Sequence, residues 1–297
     1  MEATHKAGFI ALAGRPNAGK STLLNALLKF KFSIVSHKPQ TTRHKILGIL
    51  EGEGFQACFL DTPGLIDQPG DPLQKALRRE SSGAIRDDAD LVVYLVDAAE
   101  ADPASVESTP VRSGTPVLLV LNKCDRAVAE ARLLKLEAAY SAALKPERIM
   151  RISALKGAGV EDLKAEILAR LPENPPFYEK GHLSDRWERF FAAEIVREQV
   201  FDLYHDEIPH ATAVVVDSFR ENQGRPDEVY ATLYVERDGQ KGILIGKGGK
   251  DLRRLTERAQ AGLENFLGRP VQLEVWIKVR KDWRKDERSL KEFGYLP

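Results

Sequence analysis

Gly14-Arg-Pro-Asn-Ala-Gly-Lys-Ser21 follows the spacing G-x-x-x-x-G-K-[ST]. In such a stretch the glycines let the backbone curl until successive N–H groups point inward at phosphate oxygens. The lysine then reaches the β- and γ-phosphates and the hydroxyl ligates a magnesium ion. The flanks agree with that reading. Phe9-Ile-Ala-Leu-Ala13 is an apolar run that reads as a buried strand entering the loop, and Thr22-Leu-Leu-Asn-Ala-Leu-Leu28 reads as the helix leaving it. The positive end of that helix faces the phosphates. Gly14, Arg15, Pro16, Asn17, Ala18, Gly19, Lys20, Ser21 and Thr22 are therefore expected to cradle a nucleoside triphosphate, with Ser21 on Mg²⁺.

The base is addressed a hundred residues later. Val117-Leu-Leu-Val-Leu121 is a second buried-strand run, and it ends in Asn122-Lys123-Cys124-Asp125. A carboxylate at Asp125 accepts from guanine N1–H and from the exocyclic amine together. Adenine offers a lone pair at N1 and no amine beside it, so it leaves the carboxylate unpaired. Asn122 is expected at the outer edge of the base and the Lys123 stem on its face. A third strand, Phe55–Leu60, runs into Asp61, Thr62, Pro63 and Gly64; Asp61 is placed to hold Mg²⁺ through water and the Gly64 N–H to meet the γ-phosphate. Ser153, Ala154 and Leu155, after the strand-like Arg148–Ile152, offer a backbone N–H to guanine O6. Between the loop and Asp61 lies Pro39-Gln-Thr-Thr-Arg43. A threonine here closes on Mg²⁺ when the γ-phosphate is present; Thr42 is preferred to Thr41. No residue is assigned as catalytic.

The order of these elements resembles the translation-factor-like GTPases, and within them the TrmE–Era–EngA group. The resemblance is carried by Asn17 inside the phosphate loop, by Thr41-Thr42-Arg43, and by Asp61-Thr-Pro-Gly64 followed by apolar Leu65. A leucine cannot orient an attacking water as the glutamine of Ras-like proteins does. In the resembled group the asparagine at the Asn17 position helps to hold a potassium ion near the leaving phosphate. The resemblance thus implies K⁺ as a second cofactor beside Mg²⁺.

Length and charge bound the rest. At 297 residues the chain has room for two domains. Lys+Arg and Asp+Glu both total 44, so no overall charge announces a nucleic acid or a membrane, and any basic site must be local. Cys58 and Cys124 form neither a disulfide framework nor a metal spacing and fit a reducing compartment. The six histidines never pair at metal-ligand spacing. The start of the chain lacks the apolar core of a signal peptide, no apolar run approaches a membrane span, and neither end carries a lipidation motif. A cytoplasmic monomer without an integral membrane segment is expected, a weak peripheral membrane contact remaining open.

Pro172-Glu-Asn-Pro-Pro176 interrupts the helical pattern that precedes it and marks a boundary. The expected organisation is an α/β P-loop GTPase domain over residues 1–172, with a mostly parallel sheet and helices on both faces, a linker over 173–183, and a second domain over 184–297. In that second part Trp187, Phe190, Phe191, Ile195 and Leu203 suggest a helix face. Thr212–Phe219 and Val229–Arg237 suggest strands, Asp238-Gly239 a turn, and Val271–Val279 a strand of strict alternation. Between them Leu252, Leu255, Ala259, Leu263 and Phe266 line a further helix.

This series is similar to an α+β KH domain of the bacterial type, whose signature here is Ile245-Gly246-Lys247-Gly248-Gly249-Lys250. Gly246 and Gly249 let a nucleic-acid backbone approach the main chain, with Lys247 beside the phosphates. Lys241 to Arg254 carries five basic residues against one acid, a local +4 in a neutral chain. Ile245, Gly246, Lys247, Gly248, Gly249, Lys250 and Arg253 are therefore expected to bind single-stranded RNA. Lys278–Lys291 also nets +4, either as more RNA surface or as a solvated amphipathic helix. Trp187 and Trp276 fall on packing patterns. Trp283, among Arg280, Lys281, Arg284 and Lys285, is open to packing or to base stacking.

A guanine switch joined to one KH domain resembles the KH-domain GTPases of the group named above. That resemblance implies partners beyond GTP and GDP: ribosomal RNA near the 3′ end of the small-subunit molecule, gripped in the GTP state and released after hydrolysis, with the small ribosomal subunit as the object of assembly. Two other readings stay open on residues alone. One is a kinase or ATPase using the same phosphate loop, disfavoured by Asp125. The other makes the KH-like part a protein-docking surface.

Overall fold

The structure is a computed structural model, and it describes residues 5–36, 38, 40–66, 68–104, 106 and 111–296. Of the sequence-level expectations, those touching Pro39 and the first residues of the chain lie outside the described residues.

The chain divides into two compact units, the first formed by Met1–Ser33, Thr42–Pro69 and Leu77–Asp185. Its strands are β1 (Lys6–Ala13), β2 (Ile46–Gly52), β3 (Phe55–Asp61), β4 (Leu91–Asp97), β5 (Val117–Asn122) and β6 (Arg148–Arg151). They form one sheet in the order β2-β3-β1-β4-β5-β6. All neighbours run parallel except β2, which pairs antiparallel with β3. The helices are α1 (Lys20–Leu28), the part of α2 (Pro72–Gly83) from Leu77 onward, α3 (Glu130–Leu144) and α4 (Val160–Ala169). Every residue of β4 and of β5 is buried, as strands covered on both sides require. Alternate side chains divide the two faces. Ala11, Ala13, Val92, Tyr94, Leu119 and Leu121 share a core with Leu133, Leu136 and Tyr140 of α3. Ile10, Leu12, Val93, Leu118 and Val120 point the other way by alternation and are also fully buried.

β2 was not legible as a strand, and its outer edge shows how the chain treats it. The segment expected as a linker packs with this first unit. The Ile49 N–H donates to the Leu183 carbonyl (2.9 Å) and the Ser184 hydroxyl to that of Leu47 (2.7 Å). Gln56 brackets the same segment, its Oε1 accepting from the N–H groups of Phe177 (2.8 Å) and Tyr178 (3.0 Å). Phe177 stacks on Phe9 at 4.9 Å. An uncovered edge strand would leave these backbone groups unpaired, and Leu183 and Ser184 satisfy part of the row.

The second unit gathers Ile34–Thr41, Gly70–Ala76 and Arg186–Pro297. Its elements are α5 (Glu188–Leu203), β7 (Ala213–Arg220), β8 (Asp227–Val235), α6 (Asp238–Ile245), α7 (Lys250–Leu267), β9 (Val271–Val279) and a short α8 (Glu287–Glu292). β7 pairs antiparallel with β8, and β8 parallel with β9. Val229, Ala231, Leu233 and Val235 of β8 pack with Val196 and Val200 of α5 and with Leu255, Ala259 and Leu263 of α7. Burying each Val or Leu side chain among them contributes about 1.5–3 kcal/mol. Within this unit the Lys38 ammonium donates to the carbonyls of Phe201 and Tyr204 at the end of α5.

Three expectations are corrected here, and the open reading of Trp283 is decided. Asp238-Gly239 is no turn but the start of α6, because the Gln240 side chain reaches back to the Glu236 and Arg237 N–H groups and caps a helix. Trp187 stands in extended backbone just before α5 and is 86% exposed, so it lies off the helix face. Trp276 is 60% exposed because the alternation that buries Leu273 and Ile277 sends it to the opposite face of β9. Trp283 is buried, its indole N–H donating to the Ala211 carbonyl (2.8 Å), with Phe293 and Tyr295 packed against it. It is therefore closed to a base, and α8 is amphipathic, burying Ser289 and Leu290 while Glu287, Arg288, Lys291 and Glu292 stay exposed.

Candidate functional site

The turn from β1 into α1 places the phosphate loop at the carboxyl edge of the sheet, where open α/β folds bind ligands. Gly19 adopts φ +99, and a Cβ there would sit 2.2 Å from Asn122 Nδ2, so only glycine fits between the loop and the guanine motif. Lys20 points inward and is buried, its ammonium donating to the carbonyls of Gly14 (3.1 Å) and Arg15 (3.0 Å). Burial pushes its pKa down to about 8, against the opposing pull of Asp61. Phosphate oxygens arriving beside it would favour the charged form further.

Three hard oxygens converge in front of the lysine. The Ser21 hydroxyl donates to Asp61 Oδ2 at 2.8 Å and lies 2.9 Å from Thr42 Oγ1. Of the two threonines it is Thr42 that meets Ser21; the Thr41 hydroxyl donates instead to the Lys38 carbonyl (2.7 Å). Two hydroxyls and one carboxylate suit Mg²⁺, which takes oxygen ligands and completes its shell with phosphate and water. Among the described residues no group of three His, Cys, Asp or Glu is placed to hold a metal. Thr62 hangs from the Leu12 carbonyl by its hydroxyl (3.1 Å), and the Leu65 N–H reaches the Gly14 carbonyl (3.2 Å), bringing Gly64 against the phosphate loop.

In the guanine motif Asn122 is buried, and each end of its amide makes one bond to the protein: Nδ2 donates to the Ala18 carbonyl (2.8 Å) and Oδ1 accepts from the Ala154 N–H (2.9 Å). It ties three loops together and keeps a second N–H and a second lone pair for a base. Asp125 is exposed, and the Ser153 hydroxyl donates to its Oδ1 at 2.6 Å. That hydrogen bond, partly offset by desolvation, holds the carboxyl below the usual aspartate range. Ser153, Ala154 and Leu155 thus meet Asn122 and Asp125, with Leu155 71% exposed beside them. Lys123 takes φ +66 and its ammonium donates to Asp97 Oδ2 (2.6 Å). Asp97 was missed in the sequence, since nothing marks the last residue of a buried strand as a partner for a lysine 26 positions on.

In the second unit Gly246, Lys247, Gly248 and Gly249 join α6 to α7. Gly246 has φ +70, and a Cβ there would lie 2.0 Å from Asp251 Oδ2. Lys247, Lys250, Arg253 and Arg254 are all exposed. Ile245 is half-buried and packs on the core, which anchors the loop. Ile243, 54% exposed on α6, is the apolar residue that stands free beside the loop. The end of α6 is held by the Tyr204 hydroxyl, which donates to the Leu244 carbonyl (3.0 Å).

A P-loop hydrolase of guanine nucleotides, carrying a KH domain, is the class this fold and these sites define. Family models agree: residues 9–123 match the model described as "50S ribosome-binding GTPase" and residues 207–284 the KH domain. The GTPase Era of Syntrophus aciditrophicus is 43% identical over 295 residues, covering 98% of this chain and 95% of that protein. That of Lactobacillus delbrueckii subsp. bulgaricus is 42% identical over 293 residues, 98% of this chain and 96% of the relative. Two solved structures superpose with a TM-score of 0.91 at 35% identity. One is Aquifex aeolicus Era bound to GDP·AlF4⁻, matching 98% of this chain and all of the other. The second is Era in complex with MgGDPNP and nucleotides 1506–1542 of 16S ribosomal RNA, matching 99% of this chain and all of the other. The chain belongs to the GTPase Era family. It is a GTPase, hydrolysing GTP to GDP and phosphate. Among the described residues no helix is long and apolar enough to cross a membrane.

Proposed function

We propose that this protein is a GTP-driven switch that binds single-stranded RNA of the small ribosomal subunit near its 3′ end and assists assembly of that subunit. The observation that carries the RNA half is the loop Gly246–Gly249, with Lys247, Lys250 and Arg253 exposed around it. Residues 14–22, Asp61–Gly64, Asn122, Lys123, Asp125 and 153–155 take the nucleotide. Ser21, Thr42 and Asp61 hold Mg²⁺, whose charge stabilises the transferring phosphoryl group when it is bound. The protein acts in the cytoplasm as a monomer. Cross-linking it to RNA in cells and sequencing the bound fragments tests the reading. Fragments should concentrate at the 3′ end of small-subunit ribosomal RNA; fragments spread in proportion to RNA abundance would overturn it.

Asn17 adopts φ +64 within the phosphate loop, and we assign it as a potassium ligand beside the phosphates. Leu65 cannot orient water, so hydrolysis by the isolated protein should be slow and should depend on that cation. Replacing potassium by sodium is expected to slow turnover by about tenfold, a loss of ~1.4 kcal/mol of transition-state stabilisation. Equal rates in the two salts would remove Asn17 from the mechanism.

A further inference from the structure

Asp97 and Asn122 end two neighbouring parallel strands in register with each other, β4 and β5. The chain leaves both at the same level, and the Ala98 N–H donates back to the Asn122 carbonyl (2.9 Å). Asp97 is fixed at this corner by two separate sets of contacts. Its Oδ1 accepts from the N–H groups of Ala99 (3.0 Å) and Glu100 (3.3 Å), so the side chain is locked by its own turn. Its Oδ2 accepts from the Lys123 ammonium at 2.6 Å, with the two side chains only 11% and 21% exposed. Lys123 itself sits in left-handed backbone (φ +66), a conformation uncommon for residues other than glycine.

We propose that Asp97 is a positioning residue for the guanine site: it anchors the Lys123 ammonium so that the lysine's methylene stem forms a fixed floor for the base. A lysine otherwise loses much rotamer freedom when a ligand settles against it, and a stem already held loses none at that step. The pair is partly shielded from water, so it is stronger than a surface ion pair and keeps its geometry. The guanine amine and N1–H are not involved. Asp97 therefore sets how tightly and how long any guanine nucleotide is held, while leaving the choice of base to Asp125. The inference rests on assigning Asn122–Asp125 to the base.

Asp97→Asn separates the two roles of the side chain. The amide has one acceptor oxygen, which remains with the Ala99 and Glu100 N–H groups, and it turns an NH₂ toward the ammonium. GTP and GDP should both bind about tenfold more weakly, chiefly through faster dissociation, and the preference for guanine over xanthine should be unchanged. In a Lys123→Met background the same substitution should change affinity less than about twofold, because the interaction it removes is already gone. A role confined to the turn predicts the full loss in both backgrounds. Parental affinity in Asp97→Asn, or an undiminished loss in the Lys123→Met protein, overturns the proposal. Lys123→Met alone probes the same pair from the other side if Asp97→Asn does not fold, and parental GTP affinity there overturns the proposal too. Asp125→Asn run in parallel separates the two levels. If Asp125→Asn is also without effect, the guanine assignment has failed; if only the Asp97 substitution is silent, the anchoring role alone has failed.

Discussion

Asp125→Asn is expected to weaken GTP binding by on the order of a hundredfold and to make xanthosine triphosphate the preferred ligand. On the proposed assignment the parent carboxylate accepts two charge-assisted hydrogen bonds from guanine, whereas the amide can accept only through its one oxygen while its NH₂ opposes the guanine amine. Xanthine carries an oxygen where guanine carries that amine, so the same NH₂ finds an acceptor and the oxygen still takes N1–H. The Ser153 hydroxyl, 2.6 Å from Asp125 Oδ1, should hold the asparagine in the same rotamer, so the loop keeps its shape. Competition between the two triphosphates reads the outcome. If the variant prefers GTP as strongly as the parent does, Asp125 does not read the base.

Replacing both Lys247 and Gly248 with Asp should abolish RNA binding at moderate salt and leave GTP affinity intact. The change removes one positive charge and sets two negative ones against the phosphates that the loop is meant to admit. A Cβ on Gly248 meets no atom within 4 Å, and Asp tolerates its φ of +65 better than most residues, so the fold should accept it. The loss should exceed about a hundredfold and shrink as salt is raised. RNA affinity equal to the parent's across a salt titration would place the nucleic acid elsewhere.

The nucleotide site was readable because phosphates and a purine edge demand particular backbone and side-chain chemistry at fixed spacing. Gly19, Lys20, Ser21, Asp61 and Asp125 were each visible for that reason. The structure adds what spacing cannot carry. Thr42 rather than Thr41 reaches Ser21 only because of how the segment before β2 turns. Asn122 follows a motif, yet its amide braces Ala18 and Ala154, partners far away in sequence. Asp97 follows no motif at all. In the second unit the apolar periodicities gave the order of elements, whereas Trp187 and Trp276 were misjudged because aromatic content was weighed above position. The alternation of β9 already sent Trp276 outward. The edge of β2 and its cover by Leu183 and Ser184 depend on backbone pairing, which leaves no pattern in side-chain types.

The central claim is that GTP and RNA are linked through one protein. Lys38, whose ammonium holds the end of α5, lies four residues before Thr42 at the magnesium oxygens. The expectation is that ordering of Thr42 around Mg·GTP is transmitted along the chain to the unit that carries the glycine loop. Linkage is reciprocal: whatever factor GTP adds to RNA affinity, RNA must add to GTP affinity, typically about five-fold to 150-fold in such systems. The direct measurement is the affinity for a single-stranded oligonucleotide from the 3′ end of small-subunit ribosomal RNA, with GDP and with a non-hydrolysable GTP analogue, at one salt concentration. The account predicts binding at least about fivefold tighter with the GTP analogue. Equal affinities would mean two independent modules on one chain and would contradict it.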